Sequence, residues 1–193
     1  MPGRGRGTKR KTAREEEPER LSLLEDSNPA SNNIWVVGDS LVRWAGARYS
    51  VRSRNALGDD IVDWDGHSGL KVEDLHSKMQ LGVLKGKSPK MIFLHIGGNN
   101  IVNTNVCKII RQLKCEIRCI FENFQSAIIV WVFILPRLSW LWQGKGSDLA
   151  CMNRKRQRVN RSISQFMLTQ PNGRSLHIKS IDKGTPGFFR ADN

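Results

Sequence analysis

A serine that follows an apolar segment is the first residue of this chain whose position suits chemistry. The segment Ile34–Val37 is followed at once by Gly38, Asp39 and Ser40, and a strand that passes into a helix in this way places the serine at the carboxyl edge of a sheet. Open α/β folds build their sites at that edge. A serine hydroxyl becomes a nucleophile when a neighbouring base takes its proton. We therefore expect Ser40 to be the first member of any active site.

Two further loops have the same relation to predicted strands. Ser68 and Gly69 follow the second predicted strand, and Gly97-Gly98-Asn99-Asn100 follows the apolar segment Met91–Ile96. Carboxyl ends of parallel strands share one edge, so residues far apart in sequence can converge there. Each block alone also suits a turn or a helix start, with Asp39 or Ser40 as the cap. Only the joint order of the three blocks favours a site.

The elements that must position these loops follow from the apolar pattern. Short apolar segments alternate with amphipathic ones after Asn33, which predicts βα units and a parallel sheet. Strands are expected at Ile34–Val37, somewhere between Val51 and Asp65, and at Met91–Ile96, Ile128–Leu135 and Leu176–Ile181. Helices are expected at Leu41–Ser50, Val72–Leu84, from Val102 to Phe124, and from Leu149 to Met167. The fold class is therefore α/β, with about five parallel strands.

The three blocks, together with Asp192 near the end of the chain, resemble the SGNH (GDSL-type) hydrolases over residues 34–193. Segments 135–137 and 153–156 further resemble the SGNH-type modules in open reading frames of vertebrate mobile elements. The resemblance implies a flavodoxin-like three-layer α/β/α sandwich. It also implies a serine esterase that hydrolyses a small ester through an acyl-enzyme, and no cofactor or metal is expected.

Carried over position by position, the resemblance makes Ser40 the nucleophile. It assigns the oxyanion hole to the backbone N–H groups of Ser40 and Gly69 and to the side-chain amide of Asn99. Fixed donors stabilise the tetrahedral oxyanion without reorganising, and losing one costs on the order of a hundredfold in rate. A graded loss is therefore expected for Asn99→Ala. Asn100 stands where the family usually has aspartate.

The base is where the chain departs from the family pattern. The family ends in Asp-x-x-His, in which the aspartate orients the histidine and the histidine acts as general base. Asp192 fits the aspartate, and the histidine would fall two residues beyond Asn193. Either a continuation of the chain supplies the histidine, or the domain is inactive or weakly active. His67, two residues before Gly69, is the alternative base, whereas His95 is expected to be a core residue.

Charge supports a second, non-catalytic hypothesis. The chain has 31 Lys and Arg against 18 Asp and Glu, a net charge of +13 and a pI near 10.1. Residues 1–32 have few large apolar side chains and are expected to form a disordered tail of nearly balanced charge. Most of the excess therefore belongs to the domain predicted at residues 33–193, and a strongly basic domain favours polyanionic partners.

The predicted last helix concentrates this charge. Five of its cations are expected to face outward as a solvated surface or as a patch that binds nucleic acid: Arg154, Lys155, Arg156, Arg158 and Arg161. Nearby, Trp140 and Trp142 could stack on bases or on a substrate, or else close a loop over the core. The rival of the esterase is thus a module that binds nucleic acid through a basic surface.

Cysteine usage and hydropathy indicate the cellular compartment of the protein and its relation to membranes. The four cysteines show no Cys-x-x-Cys spacing, and free thiols in a reducing compartment are expected, cytoplasmic or nuclear rather than secreted. Cys115 and Cys119 lie one helical turn apart, but no histidine near them completes a metal site. The longest apolar segment, Ala127–Leu135, is about half a membrane span. We therefore expect no membrane partner. A monomer is also expected.

Overall fold

The structure, a computed structural model, describes residues 33–52, 61–142, 145–146 and 148–179 of the chain. The predicted tail at residues 1–32 and the predicted triad aspartate, Asp192, lie outside these residues.

A five-stranded parallel sheet forms the centre of the molecule. Its strands are β1 (Asn33–Gly38), β2 (Ile61–Gly66), β3 (Met91–His95), β4 (Ile128–Val132) and β7 (Gly173–Leu176), in the order β2-β1-β3-β4-β7. A separate antiparallel pair joins β5 (Leu141–Trp142) to β6 (Lys145–Gly146). The predicted α/β fold with five parallel strands is confirmed.

Four helices connect the strands of the sheet. They are α1 (Ser40–Arg52), α2 (Val72–Leu84), α3 (Val106–Asn123) and α4 (Leu149–Leu168). Right-handed crossovers place α1 on one face of the sheet and α2, α3 and α4 on the other, because the chain reverses direction across the sheet after β2. Side chains agree: Trp64 of β2 packs against Gly46 of α1, whereas Trp35 of β1 packs against Gly82 of α2. The three-layer prediction is therefore confirmed.

The core lies mainly between the sheet and the layer formed by α2, α3 and α4. In α3 the apolar side chains recur at helical spacing and are fully buried, including Ile109, Leu113 and Ile117. Burying each such side chain stabilises the fold by about 1.5–3 kcal/mol. Among the helices in the described part of the chain, none has the length and apolarity to cross a membrane.

Three predicted boundaries were wrong, and the first is the end of β4, which lies at Val132 rather than at Leu135. The last strand is Gly173–Leu176, and His177 and Ile178 follow it without strand structure. This strand pairs with β4 alone, so its short polar sequence lacks the apolar signal that marks a central strand. Helix α3 begins at Val106 because Asn105 caps it, accepting a 2.8 Å hydrogen bond from the Cys107 N–H.

Candidate active site

Ser40 is the first residue of α1 and follows β1 with only Asp39 between them. Asp39 caps the helix, since its Oδ1 accepts a 3.0 Å hydrogen bond from the Leu41 N–H. The capping function that sequence alone allowed for either residue therefore belongs to Asp39. Ser40 is half-buried and lies at the positive end of the α1 dipole, which favours negative charge.

A close approach fixes α1 at this edge of the sheet. A side chain on Gly66, the last residue of β2, would lie 2.1 Å from the backbone nitrogen of Arg43. The next residue, His67, donates its backbone N–H to the Gly38 carbonyl over 2.9 Å. The first turn of α1 therefore packs directly on the ends of two strands.

Asp39 is a fully buried carboxylate with two side-chain partners besides its own helix turn. Its Oδ2 accepts a 3.2 Å hydrogen bond from Nη2 of Arg137, and Nδ1 of His95 lies 3.4 Å from its Oδ1. Burial raises the pKa of Asp39, but His95, the Leu41 N–H and Arg137 outweigh that effect and hold the pKa below the ordinary value of 3.8. Asp39 is therefore ionised at neutral pH.

The predicted oxyanion donors lie on neighbouring loops that are joined to each other. Gly69 has a φ of +78°, which favours glycine, and the space where a side chain would point is open. Within the described residues its backbone N–H donates to no backbone carbonyl. The Asn99 amide donates from Nδ2 to the Leu70 carbonyl over 3.0 Å. The structure thus brings Gly69 and Asn99 to the edge where Ser40 lies.

The surroundings of Asn100 suit an asparagine better than the aspartate that the resemblance would place there. The fully buried amide of Asn100 accepts a 3.0 Å hydrogen bond from the Val72 N–H through Oδ1 and donates from Nδ2 to Oε2 of Glu73 over 2.7 Å. An aspartate could accept the first bond but would repel Glu73. The asparagine therefore ties the start of α2 to the loop that bears Asn99.

Arg137 is a site residue that sequence reasoning missed. It follows β4 as Ser40, Gly69 and Asn99 follow β1, β2 and β3, so the rule that selected those loops could have found it. Its guanidinium contacts Asp39 and also lies 3.4 and 3.5 Å from Oδ1 of Asn99.

The histidines are engaged elsewhere. Nε2 of His67 lies 2.6 Å from Oδ1 of Asp65 and 2.5 Å from Nζ of Lys78, so this ring faces α2. Among the contacts of the described residues none joins His67 to Ser40. His95 is buried as expected, and its neighbour is Asp39.

The basic face of α4 is smaller than the sequence predicts. The expectation that Arg156 faces outward is wrong: it is 4% exposed and donates from Nη1 to the Ile134 carbonyl over 3.0 Å. Lys155 is half-buried, with Nζ 3.4 Å from the Ile101 carbonyl. Three of the five predicted cations remain exposed, namely Arg154, Arg158 and Arg161.

The thiols and Trp140 also have defined surroundings. Cys107, Cys115, Cys119 and Cys151 are free thiols, and burial, reinforced by Cys115, raises the pKa of the Cys119 thiol. Across the part of the chain that the structure describes, no cluster of three metal-ligating side chains occurs. Trp140 is buried in the core, 5.0 Å from the guanidinium of Arg137, and the side chain of Trp142 lies outside the described residues.

Solved structures share this arrangement of strands and helices. A lipolytic protein of the G-D-S-L family from Veillonella parvula matches with a TM-score of 0.59 and 14% identity over 79% of this chain and 84% of its own. The acetyl xylan esterase AlAXEase matches with a TM-score of 0.55 and 14% identity over 75% of each chain. A Streptococcus pneumonia protein described as a candidate platelet activating factor matches with a TM-score of 0.57 and 18% identity over 88% of this chain and 73% of its own.

These similarities define the class of fold. No protein-family model and no curated protein sequence matches the chain. At identities below 20% the likeness is one of architecture. The chain therefore has the α/β fold of the SGNH (GDSL-type) hydrolases.

Proposed function

We propose that this protein is an SGNH-type serine esterase domain that is acylated on Ser40 by a small ester. One observation carries the proposal: Ser40 begins α1 at the sheet edge where the loops of Gly69 and Asn99 are joined by the hydrogen bond from Asn99 to Leu70. We further propose an intracellular location, based on the free cysteines, and an origin in a mobile-element reading frame, based on segments 135–137 and 153–156.

The chemistry follows from these positions. Oγ of Ser40 attacks the ester carbonyl carbon while a base takes its proton, and the carbonyl oxygen becomes an oxyanion. The N–H groups of Ser40 and Gly69 and the amide of Asn99 would stabilise that charge, helped by the N-terminus of α1. The intermediate collapses to an acyl-enzyme and releases the alcohol, and water then hydrolyses the acyl group. The resemblance assigns the base to a histidine three residues after Asp192.

Covalent labelling tests the nucleophile. The protein, with its reading frame continued past Asn193, is incubated with an alkyl fluorophosphonate, which phosphonylates activated serines. We expect one adduct per chain, located by peptide mass spectrometry on the peptide that contains Ser40. Labelling of another serine, or none under conditions that label a known serine esterase, would contradict the proposal.

The alternative function, nucleic-acid binding, has one structural observation in its favour. Helices α3 and α4 pack against each other, with Lys114 and Arg118 of α3 near the ring of Phe166 in α4. The outer faces of the two helices carry exposed cations, namely Lys108, Arg111, Arg118, Arg154, Arg158 and Arg161. Such a surface could bind a polyanion without any contribution from Ser40.

A salt series distinguishes this alternative. If the surface binds RNA or DNA, the logarithm of affinity should fall linearly with the logarithm of salt concentration. Replacing Arg158 and Arg161 with glutamine should then lower the slope by about 1.4–1.8 through two lost phosphate contacts. The matched control, Arg48→Gln with Lys85→Gln, removes equal charge from other exposed positions. Equal slopes for the two double variants would reject the α3–α4 surface.

A further inference from the structure

The Arg137 side chain joins two loops of the candidate active site. Its Nη2 donates to Asp39 over 3.2 Å, and Nη1 and Nη2 lie 3.5 and 3.4 Å from Oδ1 of Asn99. The guanidinium packs on the buried ring of Trp140 and against the backbone of Gly98, where a side chain would lie 2.8 Å from Nη2. Its side chain is 30% exposed, so it borders solvent at this edge.

These contacts fix which way the Asn99 amide points. The oxygen faces the N–H groups of Arg137, and the nitrogen faces the Leu70 carbonyl at 3.0 Å. A flipped amide would set N–H groups against N–H groups and a carbonyl against a carbonyl. The amide nitrogen carries two hydrogens and Leu70 accepts one. The second hydrogen of the Asn99 amide nitrogen is thereby left to donate to a ligand.

We propose that Arg137 is a positioning residue that holds the Asn99 amide with one N–H directed toward an oxyanion on Ser40. The oxyanion part rests on the proposed function, whereas the orientation of the amide does not. A guanidinium suits this role because its planar fork can bond to Asp39 and Asn99 together, which a lysine ammonium cannot do in one plane. The buried Asp39 carboxylate holds the fork in place.

Side-chain amide NMR tests the orientation without requiring activity. The Asn99 pair is assigned in a proton–nitrogen spectrum by its loss in Asn99→Ala. In Arg137→Met the pair should shift and its hydrogen exchange should accelerate, because neither rotamer of the amide is then favoured by a cation. Arg137→Lys should give an intermediate result, and the control Arg111→Met, on the exposed face of α3, should leave the pair unchanged. An Asn99 pair unmoved in Arg137→Met would overturn the proposal.

Arg137→Met leaves the Asp39 carboxylate buried without its cation, so a second variant guards against misfolding. The pair Asp39→Asn with Arg137→Met removes both charges and should show the same change in the Asn99 resonances with a folded backbone spectrum. If the resonances of Asn99 stay unchanged in this double variant, Arg137 does not orient the amide.

Kinetics test the oxyanion part. On p-nitrophenyl acetate, Arg137→Met should lower kcat by about tenfold or more with little change in KM, as expected when the Asn99 donor, which acts in the transition state, loses its orientation. Asn99→Ala should cost on the order of a hundredfold, and adding Arg137→Met to it should cost little more. Losses that multiply would overturn the proposal. If the protein with its reading frame continued past Asn193 has no esterase activity, the proposed function fails, and NMR alone then decides the orientation of the amide.

Discussion

Ester hydrolysis by Ser40→Ala is expected to fall to a small residual rate. The substitution removes the only atom that could form the acyl-enzyme in the proposed mechanism, and loss of a serine nucleophile from a complete triad costs on the order of 10⁶-fold in kcat. The oxyanion donors that remain account for the residual rate, because they can still stabilise attack by water. The measurement is turnover of short p-nitrophenyl esters by the protein with its reading frame continued past Asn193.

The matched control for this prediction is Ser77→Ala, at an exposed position of α2. Because alanine and serine differ by one oxygen, neither variant should lose stability, and thermal unfolding checks that both are folded. Equal rates of ester hydrolysis by the protein and by Ser40→Ala would contradict the esterase hypothesis. The nucleic-acid hypothesis would then be the stronger one.

Asp39→Asn is expected to lower the free energy of unfolding by about 2 kcal/mol. The variant can still cap α1 through its amide oxygen, but it loses the charged acceptor that faces Arg137 and His95. The cost stays below that of a fully buried pair because Arg137 is 30% exposed. For a chain of this length such a loss lowers Tm by about 4–8 °C.

The sign of the pH dependence follows from the depressed pKa of Asp39. A carboxyl whose folded pKa lies below its unfolded value contributes stability that is fully present above the unfolded value and is lost as pH falls through the folded one. The difference in unfolding free energy between the protein and Asp39→Asn should therefore be constant from neutral pH to about pH 5 and shrink below pH 4. A difference that grows on acidification would contradict the assignment of an ionised Asp39.

A control separates this effect from the general cost of removing a carboxylate. Asp63 pairs with Lys87 at the surface, with half of its side chain exposed. Asp63→Asn should cost only about 0–1 kcal/mol, because solvent screens an exposed pair. The double variant of Asp39→Asn with Arg137→Met should lose less than the sum of its single losses, since it leaves no charge unpaired.

Local pattern was sufficient to predict most elements of the fold. A few adjacent residues are enough to show the apolar spacing of α3 and the apolar segments of β1, β3 and β4. The burial of these side chains follows directly from that pattern. The edge rule for parallel strands then placed the loops of Ser40, Gly69 and Asn99 together. Strand β7 was misplaced because an edge strand needs few apolar residues.

The prediction for Arg156 was wrong because it relied on the charge of the side chain rather than on its position in the helix. Arg156 occupies the buried stripe of α4 between Met152 and Val159, so its spacing already indicated an inward position. Its charge nevertheless suggested a solvated face. In the structure Nη1 of Arg156 donates to the Ile134 carbonyl beyond the end of β4, and Asn160 bonds to both backbone groups of Ile134.

The sequence by itself determined that a serine, a glycine and an asparagine follow successive strands, because apolar periodicity and glycine placement are local properties. Only the tertiary structure decided how the site is held. The contacts of Arg137 span 98 residues to Asp39 and 38 residues to Asn99, and they depend on the order of strands and on side-chain direction. No local pattern encodes such contacts, since they form only when β1, β3 and β4 end at the same edge of one sheet.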